Sequence, residues 1–131
     1  MTNLKLVETF YDEEKTQIAK RYYIDENGLK QGLFEKFYYD GGVSDRCMYK
    51  DNKKNGLYES FCKKGITQTK AVYENGELDG LYESYGIDYN IQARFSYRAG
   101  KRHGLCETFS KEGYRTQSAI YNNGEYSYST I

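Results

Sequence analysis

Gly32-Leu33-Phe34-Glu35-Lys36-Phe37 recurs as Gly56-Leu57-Tyr58-Glu59-Ser60-Phe61, Gly80-Leu81-Tyr82-Glu83-Ser84-Tyr85 and Gly104-Leu105-Cys106-Glu107-Thr108-Phe109, at a constant step of 24 residues. A tyrosine keeps the same step at Tyr49, Tyr73, Tyr97 and Tyr121, and a turn glycine keeps it at Gly76, Gly100 and Gly124. Three landmarks on one period identify a repeat protein, each copy a supersecondary unit stacked on its neighbours. A copy opens with a short alternating run, Leu57 to Phe61. It turns at Lys63-Lys64-Gly65, returns along Thr67 to Tyr73 and closes with Glu74-Asn75-Gly76-Glu77-Leu78-Asp79. Alternation over a handful of residues is the period of a strand, and Asn-Gly between two such runs is a reversal signal. Two strands and two turns use up the unit, so it holds no helix.

The fold expected is therefore all-β, an elongated single antiparallel sheet of about five stacked hairpins that grows roughly 10 Å per copy and stays open. A closed barrel is the alternative. It needs a purely apolar interior face, which these strands do not offer. One repeat domain spans 1–131. Its parts are a divergent first hairpin over 1–31, repeats over 32–55, 56–79, 80–103 and 104–127, and a short tail over 128–131. In the first hairpin Val7-Glu8-Thr9-Phe10-Tyr11 matches Phe34-Glu35-Lys36-Phe37-Tyr38, with Asp12-Glu13-Glu14 as its turn and Asp25-Glu26-Asn27-Gly28 as its link. Asn52 replaces a turn glycine and tolerates left-handed backbone. Tyr89 replaces another and predicts a different turn there.

Nineteen basic residues balance 19 acidic ones. That balance disfavours nucleic acid as a partner and, less strongly, a membrane surface. The opening Met1-Thr2-Asn3-Leu4-Lys5 is charged too soon for a signal peptide, so a cytoplasmic location is expected. Cys47, Cys62 and Cys106 are odd in number and lack metal-knuckle spacing; Cys47 and Cys106 read as small hydrophobes.

No catalytic set, metal site or cofactor motif emerges. Glu35, Glu59, Glu83 and Glu107 occupy equivalent environments, which argues against division into acid and base. Their expected role is to accept hydrogen bonds from turn amides or tyrosine hydroxyls. His103, the sole histidine, stands in a turn where sister copies carry Asn55 and Asp79. The structural positions of the repeat are Gly32, Gly56, Gly80 and Gly104, Leu33, Leu57, Leu81 and Leu105, the four glutamates, and Tyr49, Tyr73, Tyr97 and Tyr121.

The strings Gly56-Leu57-Tyr58-Glu59-Ser60-Phe61 and Tyr73-Glu74-Asn75-Gly76-Glu77-Leu78-Asp79-Gly80 resemble the MORN repeat. They are most similar to its bacterial variant in antitoxin components of the YwqK type. The resemblance covers 32–126 well and 5–31 loosely. It implies a sheet of stacked hairpins, a non-catalytic protein-binding role and, as one form of that role, neutralisation of a partner toxin. A self-assembling module joined through exposed edge strands and a peripheral phospholipid-binding module are the alternatives. The leucine face repeats faithfully and is expected to pack. The opposite face varies more, so Phe34, Tyr58 and Tyr82, helped by Met48 and Val72, are the candidate partner-binding residues.

Overall fold

A computed structural model describes residues 3–130. Met1 and Thr2 of the first hairpin and Ile131 of the tail lie outside the described residues. The strands are β1 (Lys5–Phe10), β2 (Ile18–Ile24), β3 (Gly32–Phe37), β4 (Val43–Lys50), β5 (Lys53–Phe61) and β6 (Thr67–Glu74), then β7 (Glu77–Tyr85), β8 (Ile91–Arg98), β9 (Lys101–Phe109), β10 (Arg115–Asn122) and β11 (Glu125–Ser129). They form one antiparallel sheet whose spatial order is the chain order. β1 and β11 are its two edges, so the sheet is open. The residues expected as a tail include Tyr128 and Ser129, which form the end of β11 as an edge strand. Among the described residues no helix is long and apolar enough to cross a membrane.

Each joint between copies carries the same irregularity, and it accounts for the glycine landmark. Cys47 pairs with Tyr58 and Tyr49 with Lys54, which leaves Met48 facing Asn55-Gly56-Leu57. The pattern returns around Gly80 and Gly104. Such a bulge bends its strand and needs unusual dihedrals. Gly56 and Gly80 supply φ values of +126° and +125°. The missing side chains are also needed for space, since a Cβ on Gly80 would lie 3.1 Å from Cβ of Val72. Within each hairpin the glycines Gly32, Gly56, Gly80 and Gly104 pair with Tyr49, Tyr73, Tyr97 and Tyr121. The two landmarks share a step because they are cross-strand partners, a large ring opposite a residue with nothing to pack. Tyr128 stands where another glycine would, and there the irregularity shrinks to one extra residue, Ser127.

The turns along one edge follow their chemistry. Asn75-Gly76, Ala99-Gly100, Asn123-Gly124 and Asp51-Asn52 all have positive φ at both central residues, as tight hairpin turns require. On the other edge the turn at Tyr89 is a correction to the sequence reading. Tyr89 takes φ +70° and donates to the Gly86 carbonyl at 3.0 Å, while Gly86 donates to the Asn90 carbonyl at 2.8 Å. Gly65 with Cys62, and Gly113 with Ser110, make the same pair of bonds. Left-handed backbone costs an ordinary residue about 1–2 kcal/mol, which an otherwise satisfied surface turn absorbs.

Most of the tightest packing lies on the side opposite to the one expected. Phe34, Cys47, Ala71 and Cys106 are 7%, 3%, 1% and 5% exposed, whereas Met48, Leu57, Leu81 and Leu105 are 40–47% exposed; on the leucine side Phe37, at 7%, is the buried ring. The reason is size complementarity between neighbouring strands. Phe34, Cys47, Tyr58, Ala71 and Tyr82 pair in succession, so large rings alternate with small floor residues and close over them. Cys106 fits the same scheme. Its partner Phe95 is large where the sister copies have Cys47 and Ala71, so the ring has changed strands. Burial raises the Cys47 thiol and the Tyr58 and Tyr73 phenols above their ordinary pKa values, because charge is disfavoured where water is excluded.

Candidate functional site

The leucine face carries a row of exposed apolar side chains that crosses most of the sheet. Directly opposed residues of an antiparallel pair share a face. Leu6 therefore joins Tyr23, Leu33 joins Met48, Leu57 joins Val72, Leu105 joins Ile120, and Ile120 joins Tyr128. Between hairpins the glycines hold the row together. Met48 and Val72 fill the space over Gly56 and Gly80, where an added Cβ would come within 3.2 and 3.1 Å of them. Ser96, paired with Leu81, is the one polar step. Leu6, Met48, Leu57, Leu81, Leu105 and Tyr128 along it are 40–58% exposed, and extended exposed apolar surface of this kind marks interaction sites. On a chain with 38% hydrophobic residues that concentration is not a compositional accident.

Beside the apolar row runs a ladder of alternating charge. Glu8, Arg21, Glu35, Arg46, Glu59, Lys70, Glu83, Arg94 and Glu107 stand opposite one another strand after strand. Arg21 meets Glu35 at 3.1 Å, Arg46 meets Glu59 at 3.1 Å, Arg94 meets Glu83 at 3.3 Å and Arg115 meets Glu107 at 3.2 Å. The glutamates are thus held chiefly by basic side chains of adjacent strands; Glu83 also hydrogen-bonds the Tyr85 hydroxyl, one of the kinds of partner expected from the sequence. Arg21 and Arg46 also lie over the Phe37 and Phe61 rings, at 5.2 and 5.3 Å. Arg21 and Arg46 are thus engaged on two sides, and the ladder pairs four of its glutamates with arginines.

The opposite face has its own repeating unit. Lys54 lies 4.6 Å from the Tyr58 ring and 5.0 Å from the Tyr73 ring. One copy earlier Lys30 lies among Tyr22, Phe34 and Tyr49, and two copies later Arg102 lies between Phe95 and Tyr121. Leu78 occupies this column in the copy between them. A cation between two rings favours their close approach and shields them from water.

Neither the apolar row nor these cages was singled out from the sequence, although both keep the 24-residue step. The column of Asn55, Asp79 and His103 extends back to Gln31, and its role lies in the joints between copies. Each accepts a hydrogen bond from the first turn amide of the next copy, at 3.1, 3.0, 3.0 and 3.1 Å from Asp51, Asn75, Ala99 and Asn123. His103 is thereby a joint residue, with Nδ1 as acceptor. The signal was that only side chains with an acceptor occupy that column.

The five candidate contact residues do not form one surface. Phe34, Tyr58 and Tyr82 lie on the packed face. Met48 and Val72 are opposed to Leu33 and Leu57 and lie on the other face, within the exposed row. Among the described residues no three His, Cys, Asp or Glu side chains gather as a metal would need. No protein-family profile matches the chain, and no curated protein matches it in sequence.

Proposed function

We propose that the protein is a non-catalytic protein-binding module and that its contact surface is the exposed apolar row of the leucine face. The row itself carries this reading: apolar side chains at a fixed step, exposed to solvent, and rimmed by charges already paired. An apolar core with a polar rim is the anatomy of a protein interface. A lipid surface is less well matched, because the adjacent cations are engaged by carboxylates and the net charge is zero, leaving no excess to hold anionic headgroups. Neutralisation of a partner toxin in the cytoplasm is the form that the MORN-like repeat suggests. Self-assembly through the same row is the competing reading.

The test is a double variant. Leu57→Ser with Leu81→Ser should abolish capture of the partner from the native cell while the protein remains folded and melts cooperatively, lowered by several degrees. Retained capture would refute the surface. A wild-type dimer in sedimentation that the double variant dissolves would favour self-assembly.

A further inference from the structure

Along the row from Phe34 to Phe95 the packed face is closed by rings, and past Phe95 it is not. Ala71 is covered because Tyr58 and Tyr82 flank it on the neighbouring strands. Ala119 holds the same position in the last copy of the array, but its neighbours are Cys106 and Ser129. Large and small alternate from Phe34 to Tyr82, but past the paired rings Tyr82 and Phe95 three small residues lie side by side. An open depression of about 430 Å³ lies over Ala119, bordered by Tyr121 and Tyr126, and a second of about 140 Å³ shares that floor beside Phe95 and Arg102. Their combined size falls in the range of ligand-binding clefts. Arg102 differs from the arginines of the charge ladder. Its guanidinium lies 4.5 Å from the Phe95 ring and 5.3 Å from the Tyr121 ring, and it donates to the Tyr121 hydroxyl at 3.3 Å, so its neighbours here are rings and a phenol.

We propose that this depression binds the C-terminal aromatic residue of a partner protein, its ring on the floor and its terminal carboxylate on Arg102; that source rests on the protein-binding reading above. The ring takes over Ala119 the place that Tyr58 and Tyr82 take over Ala71. The molecule itself thus shows what chemistry covers this floor. The carboxylate pairs with Arg102, whose planar fork suits it. Neighbouring Tyr121 and Tyr126, 6.0 Å apart and edge-on, offer the ring the tilted contact that aromatic pairs prefer.

The experiment titrates the full chain with N-acetyltyrosine, N-acetyltyrosine amide and N-acetylleucine, following the Ala119 methyl by NMR. N-acetyltyrosine should give a saturable upfield shift, with the amide severalfold weaker and the leucine compound about tenfold weaker. Cys106→Tyr plants the ring that sister copies carry and should abolish the binding. Ala119→Phe, which copies Phe95 of the same column and is followed through the Tyr121 and Tyr126 amide signals in place of the lost methyl, should do so independently if the first variant folds poorly. No saturable shift, equal binding of the leucine compound, or undiminished binding by either folded variant would overturn the site. Equal binding of the amide would overturn the role of Arg102. The probe needs no partner, so failure here leaves the leucine-face variants readable, and failure there leaves this titration readable.

Discussion

Replacing Gly80 by alanine tests whether the bulge glycine is what lets one hairpin join the next. Two terms oppose the new methyl group. At φ +125° the residue lies beyond the left-handed well that ordinary side chains visit, and such backbone costs of order 1–3 kcal/mol. The new Cβ would also stand 3.1 Å from Cβ of Val72, and Val72 is held in place by its pairing with Leu57. Forcing a methyl into filled space costs typically about 1–3 kcal/mol. The expected loss is thus about 2–6 kcal/mol, and at a few degrees per kcal/mol the melting temperature should fall by roughly 10 °C or more. Gly76→Asn supplies the control. Gly76 has φ +86°, its Cβ would meet Lys53 only at 3.7 Å, and asparagine already fills this column at Asn52. That change should cost less than about 1 kcal/mol, since asparagine tolerates the left-handed well. The assay is a thermal melt of both variants followed by circular dichroism. Equal melting of Gly80→Ala and Gly76→Asn would refute the account of the repeat glycine.

Serine at Tyr58 and Tyr82 should destabilise more than serine at Leu57 and Leu81, because those rings cover Ala71 and the leucines are nearly half exposed; about 2 kcal/mol per tyrosine against about 1 per leucine is expected in chemical denaturation. The reverse order would mean the leucine face packs after all. Asp12 and Asp25 are held below the usual carboxylate range, Asp12 by hydrogen bonds from the Thr16 hydroxyl and the Gln17 amide, and Asp25 by those from the Gln31 amide group and Leu29. A depressed folded-state pKa contributes stability above the ordinary value near about 3.9 and loses it as pH falls through the lower one. The amide signals of Gln17 and Leu29 should accordingly titrate with midpoints below that of a free aspartate, and midpoints at or above it would contradict the two turns. Among the thiols, Cys62 lies at a turn and its pKa is lowered, first by a backbone hydrogen bond at Ile66, whereas burial raises Cys47. Iodoacetamide should label Cys62 well before Cys47 in the folded protein, as mass mapping of timed samples would show.

The 24-residue step was enough to determine a sheet of hairpins, because both of its ingredients are local. Alternation over Leu57 to Phe61 sets a strand without reference to anything distant, and Asn75-Gly76 reverses the chain through its own dihedrals. The joint residues Gln31, Asn55, Asp79 and His103 were in principle readable too, as a column of acceptors. Which face packs was not readable from parity alone, since Leu57 and Tyr58 are both apolar neighbours pointing opposite ways. That choice belongs to three strands at once. Tyr58 and Tyr82 bury Ala71 only because the register puts a small residue between two large ones, and the two-residue bulge at each glycine sets that register. Met48 and Val72 were assigned to the wrong company for the same reason. Their partners Leu33 and Leu57 are fixed by hairpin register, a tertiary quantity, and a slip of one residue in a strand exchanges its two faces.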